Sequence, residues 1–155
     1  MSNPTLDVTD RRLLGLLQRN NRRRLRDLAE ELGVSAPTCM RRVRRLEAAG
    51  VIRAHAALLD PASVGYGVMA FIEVTLISAS GAQMAAFERR INRCPEVVQC
   101  SELAGDVDYL LTVKVRHMKE FADFTHTHLG SDPRIQSYRS LLVLRQLKDE
   151  HVLPL

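Results

Sequence analysis

No apolar run in this chain of 155 residues is long enough to cross a membrane. The longest near the middle, Val68 to Ile72, stops at Glu73, far short of the ~20 residues a spanning helix needs. The first residues, MSNPTLDVTDRR, contain no apolar core of a secretory signal. Cysteine is scarce. Cys39, Cys94 and Cys100 form an odd, widely spaced set with no CxxC. That excludes a disulfide frame and a finger-type zinc site, and it suits reduced thiols in the cytoplasm. The candidate histidines for catalysis or metal binding are His117, His126, His128 and His151. His126 and His128 lie two apart on an expected helix and so face different ways. Neither Cys94 nor Cys100 has a histidine close in sequence. We therefore expect no enzyme, no metal, no cofactor and no membrane partner. Repeats and low-complexity segments are also missing.

Lysine is absent from residues 1–60, which nonetheless hold 12 arginines against 7 acids, a balance of +5. Residues 61–155 hold 10 Lys or Arg against 11 acids, a balance of −1. A polyanion-binding role therefore belongs to the N-terminal part, and the rest of the chain needs another task.

Leu25 to Gly50 is the stretch that carries the positive charge. Leu25, Leu28, Ala29 and Leu32 recur at helical spacing, Gly33 permits a left-handed corner, and Ser35 can cap a following helix with Pro37 in its first turn. A helix, a short turn and a second basic helix make a helix-turn-helix. At roughly 100° per residue, Cys39, Val43 and Leu46 share one stripe, assigned to the core. Thr38, Arg41 and Arg45 share another side with Arg42 beside them, and Arg44 lies on a third with Met40. Most charge runs are solvated faces, but those usually mix signs. The only acid in this helix is Glu47. Four like charges therefore point to double-stranded DNA as the partner. We expect Thr38, Arg41 and Arg45 to meet base edges or nearby phosphates. Arg42, Arg44 and the preceding run Arg22, Arg23 and Arg24 are expected to hold phosphates.

Around this motif, Asp7 with Asp10 reads as a capping box opening a first helix, with Leu13, Leu14, Leu16 and Leu17 on its apolar face and Asn20-Asn21 at its end. Val51 to Asp60 reads as a strand or short ribbon, either a wing or a connector pairing with a symmetry mate. Residues 61–67, PASVGYG, read as a linker. Beyond it, strands are expected over 68–78, 97–103, 108–115 and 135–147, with helices over 81–94 and 118–129. The order β-α-β-β-α-β is a split βαβ, ferredoxin-like unit. The fold class is α+β: a winged helix-turn-helix over 1–60 and a ferredoxin-like domain over 68–155. Both are small, so we expect a partner chain to cover the sheet.

The residues resemble the Lrp/AsnC, or feast/famine, family of transcription regulators along nearly the whole chain. The markers are Leu6-Asp7 with Asp10 and Leu13-Leu14, Asp27-Leu28-Ala29, Leu32-Gly33-Val34-Ser35, Arg41-Arg42-Val43, Leu46-Glu47, Gly50-Val51-Ile52, Leu59-Asp60-Pro61, Val64-Gly65, and Gly105 with Asp108-Tyr109-Leu110-Leu111. The resemblance implies a DNA-binding head and a sensing domain whose sheets pair into dimers that commonly assemble to tetramers or octamers. It also implies a small effector, most often an amino acid, bound between dimers. The effector loop would be Ala104, Gly105, Asp106, Val107 and Asp108, with Tyr138 and Ser140 from the last strand. Backbone N–H groups at Gly105-Asp106 suit a carboxylate, and Asp106 or Asp108 suits an ammonium. Two positions depart from the family: Arg24 stands where many members carry a Ser or Thr cap, and Tyr138 where many carry Thr. An effector-independent protein that coats DNA is the other reading the basic helix permits.

Overall fold

The computed structural model describes residues 5–155, which divide into two units. The first comprises the chain up to Leu58 together with Lys148–Leu155, and the second is Leu59–Leu147. The last eight residues thus group in space with the first unit. Their link is a two-way hydrogen bond: Leu153 N–H donates to Gln18 Oε1 (2.7 Å) and Gln18 Nε2 donates to the Leu153 carbonyl (3.1 Å).

Helix α1 (Val8–Arg19) starts at Asp7, and the capping box is formed: Asp10 N–H donates to Asp7 Oδ1 (2.7 Å) and Asp7 N–H to Asp10 Oδ2 (3.1 Å). Helix α2 (Leu25–Leu32) ends at Gly33, which takes φ 67° and lets Val34 N–H reach back to the Ala29 carbonyl. Helix α3 (Ala36–Ala48) starts at Ser35 after a turn of only three residues. Leu13, Leu14, Leu28, Ala29, Leu32, Cys39 and Leu46 close one core between the three helices. Gly50 (φ 70°) ends α3, with Val51 N–H bonded to the Leu46 carbonyl.

The ribbon expected over Val51–Asp60 does not form. These residues have no strand, and from Arg53 onward they are exposed. A lone extended segment leaves half its backbone groups without partners, and no strand of this chain pairs with it among the described residues. Asp60 then caps a single 3₁₀ turn, Ala62–Val64, so the linker is more ordered than its composition suggests.

The second unit has the expected order: β1 (Val68–Leu76), α4 (Gly81–Ile91), β2 (Val97–Glu102), β3 (Tyr109–Val115), α5 (Met118–Phe124) and β4 (Ile135–Leu142). The sheet order is β2-β3-β1-β4 and every pair is antiparallel. Alternation in β1 sends Ala70, Ile72, Val74 and Leu76 to the helices, where Phe87, Ile91, Phe121, Phe124 and Leu129 meet them. The other face carries Phe71, Glu73 and Thr75, with Leu141, Arg139 and Ser137 directly opposite on β4. No helix of this unit covers it.

β1 and α4 end two and three residues earlier than expected, at Leu76 and Ile91, and two further elements differ more. Strand β4 stops at Leu142 rather than Leu147: its only neighbour, β1, begins at Val68, and past the bond from Val143 N–H to the Met69 carbonyl nothing remains to pair with. The α-helical winding of α5 stops at Phe124. A wide π turn continues over Thr125–Gly130, and the Thr125 hydroxyl donates to the Ala122 carbonyl.

Arg24, the N-cap of α2, has extended backbone (φ −65°, ψ 140°) and supplies no side-chain hydrogen bond to the first turn. Its backbone is already placed for a capping hydroxyl. Arg24→Ser should therefore stabilise the unit by ~1 kcal/mol, read as a higher urea midpoint at an unchanged slope. An unchanged or lower midpoint would refute this account.

Candidate nucleic-acid interface and sensing loop

Local chemistry sets the start of α3. The Ser35 hydroxyl oxygen accepts from Thr38 N–H (3.3 Å), and its O–H donates to Thr38 Oγ1 (2.9 Å), with Pro37 in the first turn. Cys39 and Leu46 are buried and Val43 is partly buried, which is the core stripe expected. Burial pushes the Cys39 thiol above its ordinary pKa. Pro37, Met40, Arg41, Arg44 and Arg45 are exposed.

The arginines of α3 are not equivalent. Arg42 Nη1 lies 2.6 Å from Asp7 Oδ2 and 2.7 Å from Asp10 Oδ1, and Arg45 Nη2 also bonds to Asp10. Asp10 is completely buried. Burial works to raise the Asp10 carboxyl, but hydrogen bonds from Arg45, Arg42 and the Asp7 N–H outweigh it and hold it below the ordinary carboxylate range. Asp7 is held low by the Asp10 N–H first and then by Arg42. Glu47 is therefore not the only acid within reach of these arginines: α1 supplies two more across the core edge. Arg42 side-chain exposure is 24% against 53% for Arg45. Arg42 positions α3 against α1, Arg45 is divided between Asp10 and solvent, and Arg41 and Arg44 make no ion pair among the described residues. Asp10 is visible in the sequence as part of the capping box, but its pairing with α3 is not.

In the other run, Arg22 and Arg24 are exposed, whereas Arg23 pairs with Glu31 (2.5 Å). Arg12 Nη2 donates to the Glu31 carbonyl (3.2 Å), which steadies the same corner.

The expected sensing residues lie on two elements, the loop Ala104–Asp108 and strand β4, with β1 between β3 and β4. Tyr109 and Tyr138 both stand opposite Val74, on either side of β1, and the loop Ala104–Asp108 leads into that row. Tyr138 and Ser140 lie on the helix side, opposite Val74 and Ile72. Gly105 takes φ 149°, a left-handed-side conformation that favours glycine. The N–H groups of Gly105 and Asp106 make no hydrogen bond among the described residues. Asp108 has a different part: its Oδ2 accepts from Leu76 N–H (2.6 Å) and its N–H donates to the Val74 carbonyl (3.1 Å). It fastens the end of β1, which leaves Asp106, exposed and without an ion pair among the described residues, as the free carboxylate. Below the loop, the buried Tyr109 hydroxyl donates to Glu88 Oε1 (2.9 Å). Burial and that carboxylate both raise its pKa.

His117 caps α5 through Nδ1, which accepts from Glu120 N–H (3.2 Å). Folding does bring a histidine to Cys94: His128 Nδ1 lies 3.3 Å from Sγ. Burial raises the Cys94 thiol, with Glu96 adding to the effect. Among the described residues, no group of three or more His, Cys, Asp or Glu is placed to hold a metal ion. No helix among them is long and apolar enough to cross a membrane.

Residues 6–53 match the family model described as winged helix-turn-helix DNA-binding, and residues 69–153 match the Lrp/AsnC ligand binding domain. A leucine-responsive regulatory protein of Rhizobium meliloti is 39% identical over 144 residues, covering 93% of this chain and 92% of that protein. A glutamate uptake regulatory protein of Zymomonas mobilis is 35% identical over 150 residues, covering 97% and 91%. The crystal structure of a Neisseria meningitidis transcriptional regulator in complex with L-Met superposes with a TM-score of 0.90 at 37% identity, covering 97% of each chain.

The Asp10 cluster has a signed pH dependence. A carboxyl whose folded pKa is depressed adds stability that is present above its ordinary value of ~3.9 and is lost as pH falls through the folded value. Asp10→Asn should lower stability by about 3 kcal/mol at pH 7, and the gap from the parent should narrow in urea titrations near pH 3. A gap of equal size at both pH values would show that Asp10 acts through packing alone.

Proposed function

The chain belongs to the Lrp/AsnC family of DNA-binding transcription regulators, and on that premise we propose that it binds duplex DNA sequence-specifically and is modulated by an amino acid or similar metabolite. The observation that carries the DNA half is the uneven use of the α3 arginines. Two are held by Asp10, and the two left free among the described residues, Arg41 and Arg44, lie on the exposed arc with Pro37 and Met40. In this reading α3 enters the major groove. Ser35, Pro37 and Thr38 lead at its N-terminal end, Arg41 forks onto a base edge or phosphate, and Arg45 swings between Asp10 and the DNA. Arg44, Arg22 and Arg24 hold phosphates, while Arg42 and Arg23 fix the helices that present them.

The sensing half rests on the open loop at Gly105. Its two free N–H groups can take an α-carboxylate and Asp106 an ammonium, with Tyr138 and Ser140 flanking the site from β4. The relative with L-Met bound supports the class of ligand. A second copy of the chain would cover the helix-free face of the sheet, where Phe71 and Leu141 stand opposite each other and Leu141 is 43% exposed. Dimers so formed double the DNA contacts on a pseudo-palindromic site. Effector occupancy would then change the assembly, tetramer or octamer, and with it the spacing of the DNA-reading heads. The setting is the cytoplasm, where three free thiols stay reduced.

For DNA, the slope of log affinity against log salt is the direct readout. Arg41→Ala and Arg44→Ala should each flatten it by roughly 0.9 for every phosphate left unneutralised. Arg42→Ala should instead lower the melting temperature. If neither exposed arginine changes the slope, the proposed face is wrong.

For sensing, a thermal-shift screen of the twenty amino acids with light scattering should find a ligand that raises the melting temperature and changes the size of the particle. Asp106→Asn should abolish that shift and leave the unliganded melting temperature unchanged, whereas Asp108→Asn should lower the unliganded value. No shift with any amino acid, and equal affinity for promoter and random DNA, would favour a DNA-coating protein.

A further inference from the structure

Helix α3 and one end of the sheet serve the proposed function. A second concentration of positive charge, on the outer side of α4, has no part in it. Arg89, Arg90, Arg93 and Arg134 line an open cleft of about 500 Å³ together with Ala86, Cys94 and His128. Four of the ten basic residues in residues 61–155 therefore surround one concavity, in a segment whose acids outnumber its bases.

Two of these guanidinium groups are held rigidly. Asp132 is buried and binds Arg134 through both oxygens, from Nε to Oδ1 (2.8 Å) and from Nη2 to Oδ2 (2.6 Å). Arg90 Nη1 lies 3.6 Å from the same carboxylate, and its Nη2 donates to the Thr127 carbonyl (2.7 Å) and to Ser131 Oγ (3.4 Å). The wide turn after α5 supplies that carbonyl and also carries His128. Cys94 occupies His128 Nδ1, so Nε2 is the ring nitrogen left without a partner among the described residues. Arg89 and Arg93 pair with no acid among the described residues, and Arg93 is exposed. Two carboxylates, Asp132 and the Glu96 that bears on Cys94, thus stand against four guanidinium groups. Such an arrangement is self-repelling until a polyanion enters it.

The shape suits a small ligand. A cleft of this volume falls within the range of small-molecule sites, and forked guanidinium donors match the paired oxygens of phosphate. A duplex would need a continuous basic track leading up to the cleft, whereas this unit is otherwise rich in acids. We propose that the α4 cleft binds a small molecule bearing two or more linked phosphate groups, at a site separate from both the DNA face and the Gly105 loop.

Inorganic tripolyphosphate is the probe, titrated calorimetrically into the full-length protein at low salt. One equivalent per chain is expected. The Arg89→Ala/Arg93→Ala variant should bind at least about tenfold more weakly with its unliganded melting temperature unchanged, since neither side chain is paired. Arg41→Ala/Arg44→Ala should bind tripolyphosphate as the parent does. Weaker binding by the α3 variant, or equal affinity in all three proteins, would overturn the proposal. It would equally fail if the α4 variant bound DNA more weakly with a flatter salt slope while tripolyphosphate did not bind the parent. The cleft would then belong to DNA.

Discussion

A single buried carboxylate governs how this protein can present itself to DNA. Asp10 sits where α1 and α3 meet, receives the Asp7 N–H from its own capping box, and takes guanidinium groups from Arg42 and Arg45. Removing a carboxylate from water is costly, and only dense hydrogen bonding offsets it. That requirement fixes the rotation of α3 about its axis: Arg42 and Arg45 must lie toward α1. Arg41 and Arg44 are then the two that remain outward. An apolar residue at position 10 would leave Arg42 half-buried with one counter-charge fewer. The carboxylate therefore both orients α3 and holds it to α1.

What can be read from the sequence is what neighbours along the chain decide. The capping box at Asp7, the left-handed corner at Gly33, the Ser35 cap, the missing cap at Arg24 and the strand alternation around Ile72 all rest on residues a few positions apart. The order of strands follows because a split βαβ has few right-handed solutions. Expectation fails where a distant or external partner decides. Val51–Asp60 has the composition of a strand but nothing in its own chain to pair with. Strand β4 ends before its composition does because its limit is set by where β1 begins. The pairing of Arg42 with Asp7 spans 35 residues, and that of Cys94 with His128 spans 34. No local pattern announces either.

The loop Ala104–Asp108 shows how one motif can divide its tasks. Asp106 and Asp108 look interchangeable in sequence, two acids flanking Val107. In the fold, Asp108 is bonded to both ends of its peptide environment, through its side chain to Leu76 and through its backbone to Val74. It makes the loop a rigid extension of β1. Asp106 is exposed beside two N–H groups that make no hydrogen bond among the described residues. In the proposed reading, a zwitterion would meet backbone donors of the loop itself, and the sheet would need no rearrangement. Tyr109, buried beneath and bonded to Glu88, ties the same end of the sheet to α4.

That tie gives α4 a position between two sites. Its inner side bears Phe87 and Glu88, which pack on and bond to Tyr109 (ring centroids 4.7 Å apart), and its outer side bears the arginine cleft. Phe87 and Glu88 are followed directly by Arg89 and Arg90, on the same rigid turn of helix. An anion drawing Arg89 and Arg93 together would load this helix from outside, and a ligand at the Gly105 loop would load it from within. Closely packed cores respond to such loads by shifting between discrete arrangements rather than by stretching. The hydroxyl of Tyr109 and its ring contact with Phe87 are one route by which the two sites could be coupled. Tyr109→Phe removes the first and retains the second, so it separates the hydrogen bond from the packing as the carrier of that coupling.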